Sequence, residues 1–110
     1  MRPQFNYEFA DVIVNDYYVD MLDSATNAPY IRRILTLRSS SGETNVIFRA
    51  ATGKTIQHAD DDSFLVNDRL QIRVDRKHTG TIVDQPDAQH LRIPLKVDEN
   101  EQQLVLEYSW

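Results

Sequence analysis

From His90 to the end of the chain, apolar and polar residues alternate. Leu91, Ile93, Leu95 and Val97 stand between His90, Arg92, Pro94 and Lys96. The pattern returns in Leu104, Leu106, Tyr108 and Trp110 after the polar break Asp98-Glu99-Asn100-Glu101. Successive side chains of an extended chain point to opposite faces, so each run reads as a strand with one apolar and one polar face. The short acidic break predicts that the two strands form a hairpin over one side of a core. Pro94 has no N–H to give to a ladder, which predicts that its strand lies at a sheet border.

The same period governs the rest of the chain. Phe5, Tyr7 and Phe9 alternate with Asn6 and Glu8, and the phase slips at Ala10-Asp11 so that Val12 and Val14 become the apolar positions. One extra residue is what a β-bulge inserts, so a bulge is the expectation there. Asn15-Asp16 reads as a break before the β-rich residues 17–22, and residues 23–29, which end in Pro29, form the first clear loop. Ile31, Leu35 and Leu37 define one face of the next strand, with Arg33 interrupting it. Ser39-Ser40-Ser41-Gly42 is expected to turn a hairpin into residues 43–50, with Val46 and Phe48 inward. Residues 51–63 are the least regular. Leu70, Ile72 and Val74 mark another clean strand, and residues 81–83 a short one.

Apolar residues do not recur at helical spacing over a helical length. Turn signals every eight to twelve residues predict an all-β fold: a single antiparallel β-sandwich of seven to nine strands over residues 1–110, with a small barrel as the alternative.

Composition narrows what this domain does. The chain has no cysteine, so disulfides and zinc–thiolate sites are out. No apolar run approaches the roughly 20 residues that span a bilayer, and the start lacks a signal-peptide core, so the expectation is a cytoplasmic chain. A net charge of −5 argues against nucleic acid and anionic membrane as partners. The charge comes in blocks, acidic over residues 1–30, 55–68 and 98–110 and basic over 31–54 and 69–77. Blocks of that kind suit docking to a protein partner or to another copy of the chain.

Candidate chemistry is sparse. Gly53-Lys54-Thr55 looks like the end of a phosphate loop, but Phe48 stands where the earlier Gly belongs and no helix follows; a turn with Gly53 at positive φ is the simpler expectation. His58, Asp60, Asp61, Asp62 and Asp68 gather oxygen ligands, with Asp60, Asp62 and Asp68 as weak candidates for a cation, yet their spacing is not that of an EF-hand. No Gly-x-Ser-x-Gly elbow accompanies the serines at 39–41. Arg69, Arg73, Arg92 and Lys96 would form one basic stripe if their strands were neighbours. The aromatic end, Tyr108 and Trp110, together with Pro94, is a candidate partner interface.

The expectation is therefore a domain without catalytic residues or cofactor. It is read as a protein-interaction or assembly module acting through sheet edges and loops, as a homo-oligomer or as a subunit of a larger particle or complex, a class that includes phage and secretion accessory proteins. The alternative is a Ca²⁺- or carbohydrate-binding β-sandwich using the loop from His58 to Asp68.

Overall fold

In a computed structural model, which describes residues 4–9 and 11–110, the chain is built of strands joined by turns. The ten strands among these residues are β1 (Gln4–Phe9), β2 (Val12–Leu22), β3 (Pro29–Ser39), β4 (Thr44–Gly53), β5 (Ile56–His58), β6 (Ser63–Val66), β7 (Leu70–Val74), β8 (Thr81–Asp84), β9 (Gln89–Val97) and β10 (Gln102–Ser109). They form a seven-stranded sheet in the order β1-β2-β3-β10-β7-β6-β5 and a three-stranded sheet in the order β4-β9-β8. Every pairing is antiparallel. The architecture is thus a small β-sandwich. Neither sheet closes on itself, so the barrel alternative is set aside.

One apolar cluster lies between the sheets. The large sheet contributes Val12 and Val14 from β2, Leu35 and Leu37 from β3, Leu104 and Leu106 from β10, Ile72 and Val74 from β7, and Phe64 from β6; the small sheet contributes Leu91, Ile93, Leu95 and Val97 from β9. Apart from Phe64, which belongs to the unbroken apolar run 64–66, these are the alternating positions of the sequence, so period two identified which residues face inward.

Partnership between strands is where the structure departs from expectation. β9 and β10 do not form a hairpin: β9 is the centre of the small sheet, β10 pairs with β3 and β7 in the large one, and the acidic break crosses between them. Ser39 donates its backbone N–H to the Asp98 carbonyl at 2.6 Å, tying that crossing to the end of β3. Ser39 to Gly42 likewise carries the chain from one sheet to the other instead of turning a hairpin, with Gly42 at φ 96°. The physical reason is common to both. Alternation says which face a strand buries, and a strand across the core satisfies that face as well as a strand beside it.

Three smaller expectations also change. The phase slip near residue 10 is a chain reversal, not a bulge. Phe9 and Val12 are register partners, Asp11 takes φ 65°, and Ala10 lies outside the described residues. β2 runs unbroken through Asn15-Asp16, and a bulge occurs instead in β4, between Arg49 and Ala51. Pro94 is on a central strand and not a border strand. β8 pairs only with residues 89–92 of β9, however, so Pro94 sits where one side of that strand is open.

Candidate functional site

The sequence-selected residues do not converge. Asp60 and Asp62 lie in the β5–β6 turn and face arginines: Asp60 Oδ2 is 3.8 Å from Arg73 Nη2, and Asp62 is 3.8 Å from Arg73 Nε and 4.0 Å from Arg76 Nε. Hydrogen bonds from Ser63 and from the Asp62 amide hold the Asp60 carboxyl at about 2. Asp68 is at the far end of β6, accepting a bond from Gln57 at 3.1 Å. Among the described residues no three His, Asp or Glu side chains come together to hold a metal ion.

Gly53-Lys54-Thr55 is not a phosphate cradle. The backbone N–H groups of Lys54 and Thr55 both donate to the Asn67 side-chain oxygen, at 2.8 and 3.2 Å, and β5 follows where a helix would be needed. Gly53 is not at positive φ either. It is required by close approach, since a Cβ there would stand 2.8 Å from Val66 Cγ1 and 2.9 Å from Asn67 Oδ1.

The aromatic end divides. Tyr108 turns inward, where Arg33 Nη1 donates to its hydroxyl at 3.2 Å. Trp110 is 71% exposed and lines a shallow apolar groove with Met21, Leu22, Pro29 and Ile31. Pro94 belongs to the other sheet, so Pro94, Tyr108 and Trp110 do not share one surface.

Arg33, which interrupts an apolar face in the sequence, is explained by Asp16 on the neighbouring strand. Arg33 donates to both Asp16 oxygens, at 2.9 and 2.6 Å, and its guanidinium lies over the rings of Phe48 (5.0 Å) and Tyr18 (5.3 Å). Burial opposes the Arg33 charge, but the bonds to Asp16 and Tyr108 outweigh it and raise the pKa above the ordinary arginine value. Burial, in turn, pushes the Tyr108 phenol up. Phe48 comes from the small sheet, so this cluster links the two sheets through a satisfied ion pair. It is structural.

The two outer faces treat charge differently. On the large sheet Arg32 meets Glu107 at 2.9 Å, Glu107 is the register partner of Arg73, and Arg73 faces Asp60 and Asp62, so arginines and acids alternate across the strands. Arg69, Arg73, Arg92 and Lys96 therefore form no single stripe, because β7 and β9 belong to different sheets. On the small sheet Arg49 of β4 and Arg92 of β9 are direct register partners, and among the described residues no acid pairs with either. Like charges directly opposite each other destabilise a ladder. His90 joins them, its Nδ1 3.0 Å from Arg92 Nη2; arginine can only donate, so the ring nitrogen accepts. Partial desolvation, then the charges of Arg92 and Arg49, hold His90 below the ordinary imidazole value.

Beside this pair the register places Ile47 next to Pro94, and Ile47 is 63% exposed. Beyond it Lys96 meets Glu43 at 3.4 Å. β4 hydrogen-bonds to β9 along one side, and among the described residues no strand covers its other side. This open edge, with an exposed isoleucine and an uncompensated arginine, is the candidate functional site. Reading the sequence alone missed it, because the Arg49–Arg92 apposition appears only once β4 and β9 are known to pair.

No family model, no curated protein and no solved structure matches the chain. No helix of the described residues is long and apolar enough to cross a membrane.

Proposed function

We propose that this domain is a non-catalytic protein-interaction or assembly module that makes its contacts through an open sheet edge, with β4 as the principal one. The observation that carries this reading is the condition of that edge. Among the described residues the other edge strands are shorter: β5 has 3 residues, β8 has 4 and β1 has 6, against 10 in β4. Long edges are normally blunted by proline, by charged side chains (lysine above all), by an inward-pointing charge or by a β-bulge, because unpaired N–H and C=O groups recruit another strand. Residues 44–49, Thr-Asn-Val-Ile-Phe-Arg, hold no proline, lysine or inward-pointing charge; their one charge, Arg49, comes last, the β4 bulge follows it, and Val46 and Phe48 pack inward against the core. A partner strand laid along β4 would gain main-chain hydrogen bonds from the edge and side-chain contacts from Ile47 and Arg49.

A photoreactive residue at position 47, activated in cells expressing the protein, tests the reading. Discrete cross-linked species that vanish when Arg49 and Asn45 are both changed to lysine support it. Adducts no more abundant than from a control position at exposed Thr81 on β8 overturn it. Because Ile47 is exposed, Ile47→Lys is expected to alter folding stability by less than about 0.5 kcal/mol while abolishing the contact.

A further inference from the structure

The open edge of β4 carries information about its occupant, and we infer that the occupant is β4 of a second copy of this chain, antiparallel and centred on Val46. This inference rests on the edge-interaction reading above and adds to it a partner and a register. Two copies related by a two-fold axis pair residue i with residue j at a constant sum i + j, and each contact occurs twice. For the outer faces of both copies to lie on one side of the joined sheet, outward residues must oppose outward residues. The outward set on this stretch is Asn45, Ile47 and Arg49, in register with Lys96, Pro94 and Arg92 on β9, and Glu43, the residue just before β4, joins it through its contact with Lys96.

Only a few registers then remain, and charge separates them. Centring on Arg49 sets two arginines face to face beside an Arg49–Arg92 pair that already lacks an acid. Centring on Ile47 or Phe48 leaves Arg49 opposite Asn45 or Ile47. It also draws Ala50 or Ala51 into the contact, where the β4 bulge breaks the regular ladder. Centring on Val46 places Asn45 opposite Ile47 within the regular stretch before the bulge, and brings Glu43 of each copy, one residue before β4 begins, opposite Arg49 of the other. A charge ladder then runs Arg92, Arg49, the second copy's Glu43 and the second copy's Lys96, which already holds Glu43 at 3.4 Å in the single chain. On the inner side Val46 would meet Val46 and Thr44 would meet Phe48, extending the apolar layer, and the two three-stranded sheets would become one of six. A like-charge apposition that costs stability in one copy is compensated in two.

The chain has no cysteine, so introduced thiols report the register directly. Opposed residues on paired strands lie within disulfide reach. An equimolar mixture of Asn45→Cys and Ile47→Cys chains should form a disulfide-linked heterodimer at least about ten times faster than either chain forms a homodimer. As a second arm, light scattering should find a dimer for the unmodified chain. Arg49→Glu and Glu43→Arg should each weaken it about tenfold or more, and the combined swap should restore it. Arg49→Glu relieves repulsion with Arg92, so its loss of association cannot be laid to unfolding. Faster homodimerisation of Ile47→Cys overturns the register. A chain that stays monomeric at millimolar concentration overturns the second copy; if position 47 still cross-links to a different protein, the edge-interaction reading stands, and if it does not, both fall.

Discussion

Arg33 and Arg49 show how differently one residue type is used in this chain. Arg33 is enclosed and its charge is met by Asp16, Tyr108 and two aromatic rings. Breaking a buried pair strands the remaining charge, whereas replacing both partners with apolar groups does not. Asp16→Ala should therefore cost about 3 kcal/mol in urea unfolding, and Asp16→Leu combined with Arg33→Met should recover most of it. Arg49 is instead set against another arginine, and His90 senses both. Arg92→Gln should raise the His90 pKa toward 6.5, as read from its imidazole resonances in an NMR pH titration. The sign for stability follows from the depressed value. The unfolded state takes up a proton first, so His90 contributes its full share above about pH 6.5 and withdraws it as pH falls toward the folded pKa. Arg92→Gln should shrink that loss.

Among the elements, the loop at residues 23–29 was legible, the reversal at Asp11 and the crossings after Ser39 and Val97 were not, and the strand partners were the least legible. Asn67-Asp68 ends β6, and both residues take positive φ, 53° and 57°, with Arg69 N–H donating to the Val66 carbonyl, the geometry of a type I′ hairpin turn. Asn tolerates this conformation, and its side chain additionally closes the segment after β4 through Lys54 and Thr55. Asn67→Ala removes both contributions and should lower stability by about 2 kcal/mol in thermal unfolding. Asn67→Asp, which keeps an acceptor oxygen, should lower it less. The Gly53-Lys54-Thr55 resemblance to a phosphate loop failed for a related reason. The motif supplies amides, but which acceptor they meet depends on a turn 12 to 13 residues away.

At the scale of the molecule the two sheets share one core, so they are expected to unfold together. Ile93 of the small sheet is fully buried, at 0% exposure, in the same cluster as Leu104 and Leu106 of the large one. Ile93→Ala should cost about 3 kcal/mol. It should lower amide protection in β10 as much as in β9, measured by native-state hydrogen exchange. Protection lost in β9 alone would mean that the sheets open independently.

What the sequence determined by itself was the class of fold, the inward and outward faces of the main strands, and the loop at residues 23–29. All of these follow from local stereochemistry: period two in extended chain, and Pro, Asn and Asp at turns. Tertiary structure decided the rest. Asp16 shares the inward parity of Val12 and Val14, and Arg33 that of Leu35 and Leu37, but the sequence reads Asn15-Asp16 as a break and Arg33 as an interruption, and only the pairing of β2 with β3 joins them. The separation of β9 from β10, the break-up of the four-residue basic stripe and the Arg49–Arg92 apposition were not legible at all. Alternation is blind to whether a strand's partner lies beside it or across the core. Only the register of paired strands determines which charges meet.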